Sequence, residues 1–326
     1  LNADRLANRF WDYPRTLRRM RDRFDLFHIV DHSYAQLVHE LPPGRAVVTC
    51  HDLDTFRCVL EPEREPRGRA FRAMVGRTLA GFRAAARVLC VSGATRDAVL
   101  AHGLLPPERV VVAPNGVHPS CTTRPDPEAD AEAERLLGVR DARVPVVLHV
   151  GSTIARKRLD VLLRLYAELR RVVPGVCLAR VGGFTPEQGR LRAQLGLDGA
   201  VRELPPLDRR VLAAVYRRAS VLVQPSESEG FGLPVVEAMA CGTPVVASEI
   251  AVLREVGGAA ATYCPVGDVP RWTAAVEALL AERAADPEGW ARRRAAAVAR
   301  AGVFSWSENA RRTVEVYMEV LGSAPA

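Results

Sequence analysis

Residues 226–237 read Ser-Glu-Ser-Glu-Gly-Phe-Gly-Leu-Pro-Val-Val-Glu and combine a glycine-bracketed loop with carboxylates on either side of it. An apolar run of strand length, 221–224, precedes the loop, and Pro234 stands where a helix is expected to begin. Proline suits the first helical position because its missing N–H is not needed there. The glycines permit positive φ, and the N–H groups of Gly232 and Leu233 are left to bind a ligand. The segment therefore predicts a phosphate-binding loop at a helix N-terminus.

Two carboxylates frame this loop. Glu229 lies just before it, and Glu237 lies about one turn inside the expected helix. Ionised carboxylates only accept hydrogen bonds, so this pair suits a ligand with hydroxyls at both ends and a diphosphate between, as in a nucleotide sugar. The alternative is that both are solvated or helix-capping side chains, which gain only about 0.3–1 kcal/mol from the helix dipole. That alternative leaves the Gly-Phe-Gly unit unexplained, so we favour the ligand-binding interpretation.

A second candidate anion site follows the apolar run 146–150. Gly151 and Ser152 form a turn there, and the adjacent cations Arg156 and Lys157 stand before the next helix. Lys157 is the single lysine among 45 Lys and Arg residues, which suggests a position that needs a compact point charge. The alternative for Lys157 is that one surface lysine was retained by chance. The alternative for the turn is an ordinary strand–helix connection with solvated charges.

The composition sets the class of protein. With 326 residues, 48% hydrophobic and 25% charged, the chain is expected to form two globular domains rather than a disordered polymer. No apolar run approaches the roughly 18 residues that span a bilayer, and no secretory signal is visible, although the chain begins at Leu1 and a removed leader stays open. Seven scattered cysteines without C-x-x-C spacing predict neither a zinc site nor disulfides, which indicates a cytoplasmic protein. The net charge of +7 comes without a recognisable nucleic-acid-binding module, so no nucleic-acid partner is expected.

Short apolar runs alternate with longer segments of helical period, which predicts parallel sheets with crossover helices in doubly wound α/β domains. The candidate strands are 26–30, 46–49, 88–91, 110–113, 146–150, 176–181, 221–224, 244–247 and 261–264. The candidate helices are 71–86, 94–102, 159–171, 209–218, 234–240 and 272–284.

Prolines and an acidic run interrupt this alternation after residue 118. We therefore predict a first domain at 1–118, a linker at 119–143 and a second domain at 144–304, followed by a C-terminal helical segment at 305–326. The apolar stripe predicted for that last helix consists of Val314, Tyr317, Met318 and Leu321.

The longer stretch 225–248, P-S-E-S-E-G-F-G-L-P-V-V-E-A-M-A-C-G-T-P-V-V-A-S, resembles the signature of the retaining family 4 glycosyltransferases of the GT-B fold. Further segments that resemble this family are 88–100, 110–117, 149–163 and 304–310. The resemblance implies two Rossmann-like parallel-sheet domains with a cleft between them and a C-terminal helix that crosses back. It also implies transfer of a sugar of the mannose, glucose or N-acetylglucosamine type from a GDP- or UDP-linked donor, without a cofactor or metal. The acceptor would be a hydroxyl of a glycan, a lipid-linked molecule or a small molecule, as in polysaccharide biosynthesis.

The resemblance also assigns roles in donor binding. Arg156 and Lys157 would bind the donor diphosphate. Glu229 would accept hydrogen bonds from hydroxyls of the transferred sugar, aided by the backbone N–H groups of Phe231 and Gly232.

Further roles carried over concern the rest of the nucleotide. The N–H of Leu233 would contact a phosphate, and Glu237 would bind the ribose hydroxyls. The base would be held in the segment 201–207 by backbone groups near Arg202 and Glu203.

In the first domain, the resemblance implies that His51 approaches the transferred sugar, whereas His51 taken alone suits a histidine satisfied at a strand end. The chain departs from the family in two places. Ser152 follows Gly151 where many relatives have Arg, so the positive charge falls to the later cations. The family's first strand and Gly-rich loop normally precede the strand at 26–30, and nothing before Asp25 resembles them. The first domain is therefore expected to be truncated or rebuilt.

Two further interpretations stay open. The segment 14–24 is basic, with Leu17, Met20 and Phe24 on one helical side, so it either covers a sheet or lies against an anionic membrane at the inner face. For the whole chain, a non-catalytic nucleotide-sugar-binding protein is the alternative to an enzyme. A dehydrogenase is disfavoured because no G-x-G-x-x-G follows a predicted strand.

Overall fold

Two parallel β-sheets form the framework of the chain in a computed structural model that describes residue 4, residues 7–139 and residues 141–322. Residues 1–3, 5–6, 140 and 323–326, which fall in the predicted first domain, linker and C-terminal segment, lie outside this description. The first sheet has the order β1-β2-β3-β4, with β1 Phe27–Ile29, β2 Ala46–Cys50, β3 Arg87–Cys90 and β4 Val110–Val112. The second has the order β10-β9-β8-β5-β6-β7, with β5 Val146–Val150, β6 Cys177–Val181, β7 Val201–Leu204, β8 Val221–Gln224, β9 Val245–Ser248 and β10 Thr262–Cys264.

Thirteen α-helices are found in the described ranges, together with short 3₁₀ and π turns. The helices are α1 Tyr13–Met20, α2 Arg57–Leu60, α3 Arg69–Ala84, α4 Gly93–Ala101, α5 Pro127–Leu137, α6 Leu159–Val172, α7 Pro186–Gln194, α8 Arg209–Arg218, α9 Leu233–Ala240, α10 Ala251–Gly257, α11 Val269–Ala285, α12 Pro287–Ala301 and α13 Trp306–Gly322. The shorter turns are Asn8–Asp12, His32–Glu40, Asp54–Phe56, Pro107–Arg109, Ala155–Lys157 and Gly258–Ala260.

The nine predicted strands are confirmed, and each of the six predicted helices is found within a few residues of its expected ends. All strand pairs are parallel, as the alternating pattern predicted. The pattern missed β7, since its sequence Val-Arg-Glu-Leu has only two apolar residues and its central pair is exposed at the sheet edge.

The predicted linker contains the helix α5, which the composition did not reveal. Asp126 caps its first turn, and the buried residues Ala129, Ala133 and Leu137 recur at helical spacing. The acidic residues that suggested an interruption pair instead with α8, where the Arg217 guanidinium lies 2.6 Å from Asp130. The proline and the acidic residues therefore belong to the start of a helix and not to a structureless connection.

The contacts divide the chain into two units, one formed by Leu1–Asn115 with Ser307–Ala326 and the other by Gly116–Trp306. In the first unit, α13 buries Val316 and Val320 against the sheet, and Tyr317 is half-buried beside them. The apolar stripe was therefore predicted on the wrong side of the helix. Its other members, Val314, Met318 and Leu321, are exposed. Both sets have helical spacing, and only packing distinguishes them.

Within the first unit, α1 lies on the core through Leu17, as expected of a helix that covers its sheet. Phe24, from the same predicted stripe, is 49% exposed, and Trp11 is 62% exposed. Among the described residues, no helix combines the length and the apolar character that a membrane crossing requires.

The second unit positions two loops beside each other. From β5 the chain builds the sheet in one direction through β6 and β7, and then returns to add β8, β9 and β10 on the other side. The strands β5 and β8 are therefore neighbours, with Val147 opposite Val221 and Leu148 opposite Leu222. Ligands of open parallel sheets bind at such a topological switch point, beside the carboxyl ends of the strands.

Candidate functional site

The loops that follow β5 and β8 meet at the switch point and bring charged side chains together. After β5, a 3₁₀ turn at Ala155–Lys157 leads to Arg158, which adopts φ 50° and caps α6. The backbone N–H of Glu227, in the loop after β8, donates to the carbonyl oxygen of Arg156 at 2.9 Å. This backbone contact fixes the cation-bearing turn against the loop that carries Glu229.

Glu229 is the centre of the cluster. Its Oε1 atom accepts hydrogen bonds from Lys157 Nζ at 2.6 Å and from Gln224 Nε2 at 2.6 Å. Ser226 Oγ donates to the same oxygen at 2.8 Å, and Arg156 Nη1 lies 3.4 Å from Oε2. The Glu229 side chain is only 6% exposed. The structure thus brings Glu229 together with Arg156 and Lys157, which precede it in the sequence by 73 and 72 positions.

The surroundings of Glu229 keep it ionised. Burial on its own would raise the pKa of the carboxyl, but the charge of Lys157 and the hydrogen bonds from Lys157, Ser226 and Gln224 outweigh burial. The pKa of Glu229 therefore lies below its usual value. An ionised carboxylate beside two cations can accept hydrogen bonds from ligand hydroxyls while the cations face an anion.

The loop after β8 ends in the predicted helix start, one residue earlier than expected. The helix α9 begins at Leu233 and has Pro234 in its first turn. Gly232 has φ 93°, and a Cβ atom there would lie 2.7 Å from Leu253 Cδ2. The Phe231 ring is buried against Phe304, with ring centroids 5.4 Å apart. The first N–H groups of a helix have no partner within it, so this end of α9 offers donors to an anion.

A buried tyrosine donates a hydrogen bond to Glu237. The hydroxyl of Tyr216 donates to Glu237 Oε2 at 3.0 Å, and Thr243 Oγ1 donates to the Tyr216 carbonyl oxygen at 2.5 Å. Burial raises the pKa of Glu237, and the Tyr216 hydrogen bond and the Arg209 charge offset this effect only in part. The carboxyl is therefore fixed in position and sits in a site that disfavours its charge.

Three further predicted site residues have surroundings of their own within their respective units. Arg202 and Glu203 are exposed on β7, where Glu203 forms an ion pair with Arg192. His51 follows β2 in the first unit, and its Nε2 atom lies 2.9 Å from the Val30 carbonyl oxygen. The roles expected of these residues remain predictions.

Two further predicted residues form the turn after β5. Gly151 packs closely on the side chain below it, since a Cβ atom there would lie 3.3 Å from His149 Cε1. Ser152 is exposed. The outer side of this turn is therefore exposed to solvent, whereas its inner side packs against the His149 ring.

Three polar residues of this region were not predicted from the sequence. Gln224, His149 and Arg180 are fully buried in strands that were interpreted as apolar runs. A polar side chain inside a central parallel strand is itself a signal, because such strands are covered on both faces and are usually apolar throughout.

Family models match both parts of the chain. Residues 1–120 match the model described as glycosyltransferase family 4, and residues 144–282 match the model described as glycosyl transferases group 1. Among similar proteins, the D-inositol 3-phosphate glycosyltransferase of Thermobispora bispora is 38% identical over 230 residues, which cover 66% of this chain and 52% of that protein. That of Streptomyces scabiei is 36% identical over 247 residues, which cover 72% and 54%. The chain thus spans about half the length of the curated relatives it matches.

Solved structures show the same architecture. The sucrose-phosphate synthase of Thermosynechococcus elongatus superposes with a TM-score of 0.77 at 25% identity, covering 96% of this chain and 78% of that one. The HepE protein of Anabaena, solved in complex with UDP-glucose, gives a TM-score of 0.73 at 20% identity over 95% and 82% of the two chains. The chain therefore belongs to the family 4, group 1 glycosyltransferases of the GT-B fold.

Proposed function

We propose that this chain is a glycosyltransferase that moves a sugar from a nucleotide diphosphate sugar to an acceptor hydroxyl. The observation that carries the proposal is the cluster at the switch point, where the ionised Glu229 contacts Lys157 and Arg156 at 2.6 and 3.4 Å. An acceptor-only carboxylate suits the hydroxyls of a sugar, and the adjacent cations suit the diphosphate attached to it. The UDP-glucose complex of HepE supports the same class of donor, and the similarity to D-inositol 3-phosphate glycosyltransferases supports glycosyl transfer.

The proposed donor carries GDP or UDP and a sugar of the mannose, glucose or N-acetylglucosamine type. In this arrangement the diphosphate lies at the N-terminus of α9, near the N–H groups of Gly232 and Leu233. The ribose hydroxyls donate to Glu237, and backbone groups near Arg202 and Glu203 hold the base. The buried Tyr216–Glu237 hydrogen bond supports this assignment, because it fixes the orientation of the carboxylate before the ligand arrives.

The proposed reaction retains the configuration of the sugar. The bond between the anomeric carbon and the phosphate oxygen breaks, and the acceptor oxygen attacks the same face of that carbon. The acceptor proton passes to an oxygen of the departing diphosphate, so charge and atoms balance. Lys157, Arg156 and the end of α9 stabilise the negative charge that develops on the leaving group, which is often the largest contribution to catalysis. This mechanism needs no metal, which remains a prediction, and His51 is proposed to contact the transferred sugar.

The acceptor is proposed to be a hydroxyl of a glycan or of a lipid-linked or small molecule in the cytoplasm. Peripheral attachment to the inner membrane face is part of this proposal. The exposed Trp11 and Tyr13 and the exposed arginines 15, 18 and 19 support it, since aromatic and basic side chains together favour an anionic lipid surface. Co-sedimentation with anionic vesicles at low salt but not at high salt would support attachment, and no sedimentation at low salt would refute it.

A screen of UDP- and GDP-sugars for hydrolysis tests the proposed function. We expect the wild-type chain to release nucleotide from at least one donor, and Glu229→Gln to slow this release by about 10²-fold or more. Glu227→Gln is the matched control, because Glu227 lies two residues away in the same loop but is exposed.

Two results would contradict the proposal. Equal rates for Glu229→Gln and wild type would show that Glu229 has no part in the reaction. Tight nucleotide binding without any hydrolysis or transfer would favour the alternative of a non-catalytic nucleotide-sugar-binding protein.

A further inference from the structure

Two polar side chains lie in the middle of the second sheet, directly beneath the turn after β5. His149 on β5 is the register partner of Arg180 on β6, and neither is exposed to solvent. Central strands of a parallel sheet are covered on both faces, so each of these polar groups needs a specific reason to be there. Neither residue belongs to the Glu229 cluster.

Arg180 is held by neutral groups alone. Its Nη1 donates to His149 Nδ1 at 2.7 Å, and its Nε and Nη2 donate to the Gly183 carbonyl oxygen at 3.1 and 2.9 Å. Nη2 also lies 3.4 Å from the Ser152 carbonyl oxygen. In the part of the chain that the structure describes, no carboxylate forms an ion pair with Arg180. Burial lowers the pKa of Arg180 to about 10, with the charge of Glu203 acting in the opposite direction, so the guanidinium is charged at neutral pH.

The paired histidine adds no compensating charge. A guanidinium only donates, so His149 Nδ1 must accept and the ring proton lies on Nε2. Burial, and then the charges of Arg180 and Lys157, hold the pKa of His149 well below its usual value, which keeps the ring neutral. The His149 Nε2 atom is buried without a hydrogen-bond partner among the described residues, and the ring packs against Gly151. The pair therefore carries one net positive charge under the turn.

A buried charge without a counter-ion is unfavourable unless an anion approaches it. The carbonyl oxygen of Ser152 connects Arg180 to the turn whose outer side faces the proposed diphosphate. Because Arg180 and His149 are both fully buried, water and salt screen their charge less than they screen an equally distant charge at the surface.

We propose that Arg180, oriented by His149, is a buried positioning residue that holds the turn at 151–152 and supplies a third positive charge for the donor diphosphate. This inference rests on the proposed function, since it assumes that a nucleotide diphosphate binds at the switch point. Arg156 and Lys157 would contact the ligand from the outer side, while Arg180 acts through the turn and does not touch it.

Binding of three probes, UDP, GDP and inorganic pyrophosphate, by isothermal calorimetry tests this inference, with uridine and guanosine as phosphate-free references. Arg180→Gln removes the charge but keeps an amide donor, and Arg180→Lys keeps the charge. Arg170→Gln, on the exposed face of α6, removes one charge of the same unit and serves as the matched control. Thermal unfolding of every variant reports whether the fold is intact.

We expect Arg180→Gln to weaken binding of the diphosphate probes by about tenfold, Arg180→Lys to recover most of it, and Arg170→Gln to change it by less than about twofold. Nucleoside binding should stay the same in all variants. A purely structural role would instead weaken nucleoside and diphosphate binding equally, or would leave Arg180→Lys as weak as Arg180→Gln, and either result overturns the inference.

The same experiment separates the inference from the proposed function. If wild type binds diphosphate and Arg180→Gln binds it equally well, only the inference fails. If wild type binds none of the three diphosphate probes, the proposed function fails as well. Should Arg180→Gln not fold, Arg180→Lys decides, since the inference requires the retained charge to keep diphosphate binding within about threefold of wild type.

Discussion

At the residue scale, the single lysine of the chain proves to be buried and specifically paired. Lys157 is 9% exposed, and its ammonium contacts Glu229. An ammonium is compact and can contact a carboxylate and a phosphate from one point, whereas a guanidinium needs a wider, planar space. If Lys157 binds the donor phosphate as proposed, this difference accounts for a lysine in a chain that otherwise uses arginine.

Replacing Lys157 tests that explanation. We expect Lys157→Met, which keeps most of the side-chain volume, to slow donor hydrolysis by about 10²–10³-fold because developing charge on the leaving group loses its nearest cation. Lys157→Arg should recover only part of the rate. Steady-state kinetics measure both effects, with the exposed Arg164→Met as control. Full activity of Lys157→Arg would show that a compact charge is not required.

Glu237 leads to a prediction about stability and pH. Burial raises the pKa of its carboxyl in the folded chain, so the fold disfavours the ionised form, and stability decreases as pH rises through the raised pKa. At pH 7 the neutral Glu237→Gln variant should therefore melt at or above the wild-type temperature, while nucleotide binding weakens because a charged acceptor for the ribose hydroxyls is lost. Melting curves between pH 4 and pH 8 should show the advantage of the variant disappear in acid. A variant less stable than wild type at pH 7 would contradict this account.

At the element scale, apolar runs predicted nine strands well because buried parallel strands are apolar on both faces. The same reasoning missed β7, an edge strand with two exposed charged residues, and α5, whose acidic residues pair with α8. The phase of α13 could not be predicted, since Val316 and Val320 alternate with equally apolar neighbours and only the sheet determines which set is covered.

The start of α9 depends on a glycine for two reasons. Gly232 has φ 93°, and a Cβ atom would lie 2.7 Å from the buried Leu253. We therefore expect Gly232→Ala to reduce the free energy of unfolding by about 1–3 kcal/mol, as measured by urea titration. Gly183→Ala is the control, because a Cβ atom there meets nothing within 4 Å, and its effect should stay below about 0.5 kcal/mol. Equal stability of the two variants would show that the positive φ is not required.

At the scale of the whole molecule, the sequence motifs predicted Glu229, Arg156 and Lys157, and the sheet order explains why these three residues meet. The turn with Lys157 and the loop with Glu229 are distant in the chain, yet β5 and β8 are neighbours. The His149–Arg180 pair could not be predicted from a motif, because it depends on the register of β5 against β6. The acceptor and the base depend on loop shapes that the motifs do not encode.

The central claim is that the donor binds at the carboxyl ends of β5 and β8. A crystal structure of the chain with the UDP- or GDP-sugar that it hydrolyses tests this claim most directly. The account predicts a diphosphate within hydrogen-bond distance, about 2.7–3.2 Å, of the Leu233 N–H and of Lys157 Nζ, with a sugar hydroxyl on Glu229. A nucleotide bound elsewhere on the chain, with the Lys157–Glu229 pair untouched, would contradict it.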